Sequence, residues 1–327
     1  MHITALAGGI GAARFLRGLR HHLATRSDDW READVTVIGN TADDITLFGL
    51  RVCPDLDTVM YTLGGGIHED QGWGRADETF TISHELSAYG VPPDWFTLGD
   101  RDFATHIVRT QMLRAGWSLT DITAALCERW QPGVRLLPMS DDPIETHVVV
   151  SDSDGARQAI HFQEWWVREQ TARTPLEFVF LGAAEAKPTA AVIDALQRAD
   201  VVLLPPSNPV VSIGAILQVN GVADSLRAAP APIVGVSPII GGAPVRGMAD
   251  ACLQAIDVET TAAAVAAHYG ARIAGGLLDG WVVDDVDAEV AAIPGVRQRS
   301  RQLLMRDVTA AADIAGASLD LALELRR

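Results

Sequence analysis

Several short segments of the sequence gather residue types that bind phosphate or a hard cation. Gly8-Gly9-Ile10-Gly11 lets the backbone approach an anion closely, just where a helix N-terminus would add partial positive charge. Asn40-Thr41-Ala42-Asp43-Asp44 and Cys53-Pro54-Asp55-Leu56-Asp57-Thr58 each carry an acidic pair. Carboxylates beside an anion site would repel a phosphate unless a divalent ion lay between them, and Mg²⁺ held by one or two carboxylates plus substrate oxygens suits this pattern. The plainer alternative is that Asp55 or Asp57 caps a helix and that Asp43 and Asp44 are solvated turn residues. Pro205-Pro206-Ser207-Asn208-Pro209 offers a hydroxyl and an amide, with Ser212 and Gly214 following, and Ser237-Pro238-Ile239-Ile240-Gly241-Gly242 leads on to Arg246.

Leu98-Gly99-Asp100-Arg101-Asp102, followed by Thr105 and His106, packs charge at the mouth of a helix. Two readings stay open: Arg101 among carboxylates orients a phosphate or polar ring, or the group is an internal salt-bridge cluster. His106 is either a base or a satisfied structural group. Lys187 is the only lysine, so the phosphate loop that ends in Lys-Ser/Thr cannot be built. Cys53, Cys127 and Cys252 are widely spaced, which suggests neither a disulfide framework nor a zinc site, and no covalent nucleophile can be assigned.

The elements that must position these residues follow from hydrophobic patterning. His2–Ala7 is a short apolar run, and Phe15, Leu16, Leu19 and Leu23 then recur at helical spacing: strand, glycine turn, helix. Val35–Gly39, Glu177–Leu181, Val201–Leu204 and Ile233–Val236 read as further buried strands of a parallel sheet covered on both faces. Residues 77–89, 103–115 and 119–130 read as helices, and 145–150 with 159–165 as a hairpin around Ser151-Asp-Ser-Asp-Gly155. The expected architecture is therefore a doubly wound, mostly parallel Rossmann-like α/β core from residues 1–64 and 171–327. A mostly helical subdomain, 65–170, is inserted to cover the crevice.

The strand Val35–Gly39 ends at Asn40, where a nicotinamide-binding fold needs an acid for the ribose hydroxyls, so a dehydrogenase is disfavoured. The formal charge of −16 argues against a nucleic-acid partner, and no apolar run approaches the length of a membrane span. A cytoplasmic protein is expected.

Taken together and in this order, GGIGAARFLRGL, NTADD, CPDLDTVMYTL, LGDRDFATH, LLPMSDDPIETHV, PPSNPVVSIGAIL and VSPIIGGAPVRG resemble the CofD family of 2-phospho-lactate transferases. The resemblance runs from Met1 to about Asp285. It implies the transfer step in making the deazaflavin coenzyme F420. In that step the terminal ribityl hydroxyl of the precursor Fo attacks a guanylylated phospho-lactate or phosphoenolpyruvate, releasing GMP. By similarity Asp43 and Asp57 would hold Mg²⁺, with Asp43, Asp57 and Arg101 as the catalytic group. Asp57, Tyr61, Gly99, Asp100 and Arg101 would lie near Fo. Gly8, Gly9, Gly11, Asn40, Ser207 and Asn208 would receive the nucleotide and its phosphates. The family also implies a homodimer. Met60 and Tyr61, with Trp73, Trp95 and Phe96, are the aromatic and apolar groups expected to line a slot for the Fo ring. The rival from another class is the CofD-like regulators that bind nucleotide sugars. Those proteins continue after TADD with a Gly-Gly-Ser-Ser-Gly run, whereas this chain reads Ile45-Thr46-Leu47.

Overall fold

The computed structural model describes residues 1–290 and 292–326; Ala291 and Arg327, which fall within the expected core segment 171–327, lie outside them. Seven strands form one parallel sheet: β1 (His2–Ala7), β2 (Asp34–Gly39), β3 (Arg135–Pro138), β4 (Val201–Leu204), β5 (Ile233–Val236), β6 (Gly280–Val283) and β7 (Arg297–Ser300). Their spatial order is β7-β6-β5-β4-β1-β2-β3, so the order reverses direction between β1 and β4. Open α/β sheets bind ligands outside the strand C-termini at such a reversal.

Side chains alternate across a strand, and here the alternation sorts the core in two. Leu6, Ile38, Leu137, Val202, Leu204 and Trp281 face one apolar cluster. Ile3, Ala5, Ala7, Val37, Leu136, Val201 and Leu203 face the other. The second face is covered by α1 (Gly9–Thr25), α2 (Pro54–Leu63), the inner side of α4 (Leu119–Trp130) and α5 (Val308–Leu325); α3 (Asp100–Arg114) lies outside, against the 45–52 hairpin. At the crossing of α1 and α5 a Cβ on Gly18 would lie 2.3 Å from the Ala311 carbonyl carbon, and one on Gly316 would lie 2.6 Å from the His22 ring. Each helix thus contributes a glycine where backbone meets neighbour.

The central strands match expectation because fully buried parallel strands are continuous apolar runs. Glu177–Leu181 does not join them. It is part of Pro175–Leu181, an edge strand of a separate antiparallel sheet with Glu145–Ser151 at its centre and Arg157–His161 on the other side. An apolar run alone cannot distinguish a central strand from one that covers a core. The expected hairpin strand 159–165 stops at His161 and gives way to a π-helical turn at Glu164–Arg168, which seats Trp165 in the first cluster. Within 65–170, α3 and α4 are helical as expected, while Arg135–Pro138 pairs with β2 as an edge of the main sheet. Among the described residues no helix is long and apolar enough to cross a membrane.

Candidate active site

The pairing of β1 with β2 runs from His2–Asp34 to Ala7–Gly39, so both strands end level. That register sets Gly8 beside Asn40, whose amide donates to the Ala7 carbonyl at 2.9 Å. The glycine turn is also fitted to the loop after β4. A Cβ on Gly11 would stand 2.2 Å from the Pro206 carbonyl oxygen, one on Gly8 would meet Ser212, and Gly9 has a φ of +67°. The Ser207 hydroxyl donates to the Gly8 carbonyl at 2.9 Å. Asn208 folds its own loop, its Oδ1 accepting from the Val210 and Val211 amides. Gly8, Gly9, Gly11, Asn40, Ser207 and Asn208 therefore converge at the reversal of strand order.

The acidic pairs are buried against this turn. Asn40 Nδ2 donates to Asp55 Oδ2 at 2.9 Å, and Asn40 Oδ1 accepts from the Ala42 amide. Asp43 is buried, and its Oδ1 has no hydrogen-bond partner; neither carboxylate oxygen of Asp44 has one either. Burial, then repulsion from Asp55, pushes the Asp43 carboxyl well above the usual range. Burial raises Asp44 to about 7, against the pull of Arg51, 3.4 Å away. Burial likewise raises Asp55 to about 6, with Asn40 and the Gly9 amide working against it.

Asp57 is differently placed. Both of its oxygens are taken by the guanidinium of Arg109, a fully buried arginine of α3. Burial would discharge Arg109, but Asp57 outweighs it and holds the guanidinium charged. His106 Nδ1 lies 3.1 Å from Arg109 Nη1, and its Nε2 lies 3.4 Å from Asp102. Tyr61 closes the chain by donating to Asp102 at 2.7 Å. His106 is thus one member of a buried polar cluster, with its Nε2 lacking a hydrogen-bond partner.

Tyr61 and Met60 are 1% exposed, with the Tyr61 ring packed on Trp130, so neither presents a face to a ligand ring. Trp73 is 51% exposed, and Trp95 and Phe96 form an edge-on pair. Asp100 ties down the start of the helix Thr81–Ala88, accepting from Thr79 Oγ1, the Thr81 amide and the Ile82 amide. A Cβ on Gly99 would stand 2.2 Å from the Glu78 carboxyl carbon, so any larger residue there would have to displace the Glu78 side chain. Glu78 accepts from the Arg101 and Asp102 amides, so it caps α3. The Arg101 side chain itself is exposed.

A family model described as 2-phospho-L-lactate transferase CofD matches residues 3–318. The chain belongs to the CofD family. Curated relatives named phosphoenolpyruvate transferase include one from Thermobifida fusca, 64% identical over 330 residues and covering 100% of this chain and 99% of its own. Others come from Streptomyces coelicolor, 60% identical with 100% and 99% covered, and Mycobacterium avium, 56% identical with 98% and 99% covered. Among solved structures, a member of the UPF0052 family from Bacillus halodurans aligns with a TM-score of 0.61 at 18% identity, covering 97% of this chain and 99% of that one. At that identity the likeness concerns the fold.

In this CofD chain the sequence motifs include only one, Thr146, of the three residues that grip the TADD turn. Thr146 donates its amide to the Ala42 carbonyl at 2.6 Å, Gln163 Nε2 donates to the Asp43 carbonyl at 3.2 Å, and His161 Nε2 lies 3.3 Å from the Asp44 carbonyl. All three come from the antiparallel sheet or the turn after it, more than a hundred positions from the turn they hold. Arg51 and Arg109 were likewise hidden, since an arginine in an amphipathic helix or hairpin reads as surface.

Among the described residues no group of three or more His, Cys, Asp or Glu is arranged to hold a metal ion. A cation here would take one or two carboxylates and complete its shell with substrate oxygens and water. The raised carboxyls carry a pH signature. Between 3.8, the ordinary carboxyl value, and about 6 for Asp55 or 7 for Asp44, the folded protein binds more protons than the unfolded chain, so stability falls as pH rises. In chelator the melting temperature is expected to be higher at about pH 5 than at about pH 8, with Mg²⁺ restoring part of the difference by neutralising the buried charge. A flat profile across that window would remove the idea that these acids are uncompensated.

Proposed function

We propose that this protein transfers a phosphoenolpyruvyl or 2-phospho-L-lactyl group from its GDP-linked donor to the terminal ribityl hydroxyl of Fo, releasing GMP. The carrying observation is the buried Asp43 carboxylate with an unpartnered oxygen beside Asp55, set against a glycine turn at the sheet's reversal point. Uncompensated carboxylates next to an anion cradle call for a divalent cation and a phosphate together. The names of the relatives support the phosphoenolpyruvyl form of the donor.

Asp43 is the residue best suited to hold Mg²⁺, since its free oxygen needs a partner. Asp57 fits as a second ligand because an oxygen that accepts from Arg109 keeps a further lone pair. The ion would neutralise charge on the transferring phosphate. The protein's own part is positioning: Gly8, Gly9 and Gly11 allow backbone approach, Asn40 orients Asp55, and Arg109 holds the Asp57 carboxylate in place through both oxygens. Phosphoryl transfer of this kind depends more on positioning and charge than on a strong side-chain base. A cytoplasmic homodimer completes the proposal.

The test is incubation with Fo, each guanylylated donor and Mg²⁺, followed by mass analysis. A phosphodiester product from one donor is expected, and none from either would sink the proposal. The regulator reading predicts tight nucleotide-sugar binding with no turnover in the same assay.

Arg101 is proposed to contact Fo. Because its side chain is exposed, Arg101→Ala should change stability by less than about 0.5 kcal/mol. It should weaken Fo binding, followed by the ligand's fluorescence, far more than GDP binding followed by calorimetry. Equal losses would move Arg101 out of the Fo site.

A further inference from the structure

The segment 67–75 folds as a strap over the glycine turn. Ile67 and Arg75 bridge in antiparallel fashion, and the His68 amide donates to the Gly74 carbonyl at 3.1 Å. At its crest Gly72, with φ +76°, lies so close that a Cβ would stand 2.8 Å from Ile10 Cγ2 and 3.3 Å from Arg246 Nη1. Two arginines reach this strap from different elements. Arg14, on α1, donates to the Glu69 carbonyl at 3.3 Å, and Arg246, from the loop after β5, donates to the Gln71 carbonyl.

Neither guanidinium has a carboxylate within ion-pair distance among the described residues. The nearby Glu69 carboxylate is already bound through both oxygens by Arg17. Burial lowers the Arg14 pKa, and Arg246 lowers it further, as two close like charges must. Acids outnumber bases by 42 to 26 in this chain, yet the acid that acts on Arg14, Glu69, is already paired with Arg17. Beside Arg14 opens a cavity of about 340 Å³ lined by Arg17 and Arg306 and also by the acids Glu69, Asp70 and Asp307.

We propose that Arg14 and Arg246 bind the carboxylate of the three-carbon acid carried by the donor, an inference that rests on the transfer reaction proposed above. The planar guanidinium fork matches a carboxylate bidentately. Arg14 sits one helical turn beyond Gly11, about 5 Å along α1. In this proposal an acid whose phosphate rests at the glycine turn directs its carboxylate toward the strap, where Arg14 and Arg246 meet. The pair makes the site select an acid-bearing donor over a plain nucleotide.

The experiment measures calorimetric binding of phosphoenolpyruvate, inorganic phosphate and GDP, each with Mg²⁺, to the full-length protein and to Arg14→Gln and Arg246→Gln. Both variants should fold, because each arginine bonds only a backbone carbonyl here, and melting temperatures check this. Each substitution is expected to weaken phosphoenolpyruvate binding at least tenfold while GDP binding changes less than twofold. Inorganic phosphate should bind more weakly than phosphoenolpyruvate and respond little to either substitution. Absence of phosphoenolpyruvate binding to the unmodified protein, variants that hold it as tightly, an equal loss of GDP binding, or the same arginine dependence for inorganic phosphate would each overturn the assignment. The readout needs no turnover, so it can fail while the transfer assay succeeds, and the reverse.

Discussion

Asp43→Asn is expected to be nearly inactive and, in the absence of metal, more stable than the parent protein. The Asp43 carboxylate is buried, has one oxygen without a partner and is repelled by Asp55. An amide of the same shape carries no charge to desolvate and can donate to Asp55. The gain should be about 0.5–2 kcal/mol, the range common to single stabilising substitutions. Turnover should fall by about 10²–10³-fold, the usual loss when one preorganised electrostatic partner of a transition state is removed. Thermal melting in chelator and steady-state rates in saturating Mg²⁺ test the two halves separately. An Asp43→Asn variant that melts lower without metal would show that the Asp43 carboxylate supports the fold.

Arg109→Leu should have the opposite stability effect. It leaves Asp57 buried without its bidentate partner and removes the neighbour of His106 Nδ1. Breaking a buried pair from one side costs about 3–5 kcal/mol, enough to unfold many domains outright. Asp57→Asn strands the guanidinium instead and should be destabilising for the same reason, although it removes little volume. The discriminating protein is the double variant Arg109→Leu/Asp57→Leu. Replacing both members by apolar groups is often close to neutral, so most of the lost stability should return while turnover does not. A double variant as unstable as either single one would mean that the ion pair is not what these residues contribute.

The contrast between these two acids shows where sequence reading reaches its limit. The strands β1, β2, β4 and β5 were legible because a parallel strand buried on both faces is a short unbroken apolar run bounded by glycine or proline, as at Ala7-Gly8 and Leu204-Pro205. The glycine turn and the loop Pro205–Asn208 were legible because chemistry at strand ends follows from topology. The partners of the acids were not. Arg109 is 52 residues from Asp57, and Gln163 is 120 from Asp43, so no local spacing links them. Tyr61 was expected in a ligand slot because the inward face of an amphipathic helix looks the same whether it meets a core or a substrate. Pro175–Leu181 misled for a related reason: its apolar residues pack on the core from outside the main sheet.

The glycine-to-backbone crossing of α1 and α5 bears on how the protein is made. The glycine turn begins α1, yet the face of α1 that carries Gly18 is closed only by Ala311 and its neighbours. Its own strand, β1, is central and needs β4 on its second side. α1 can therefore settle on α2 early in folding, but its Gly18 face stays uncovered until Ala311, 293 positions further along the chain, docks against it. In refolding followed by hydrogen exchange, the Gly18 face of α1 should be among the last surfaces to gain protection, after the glycine turn has met the loop that carries Pro206, Ser207 and Ser212.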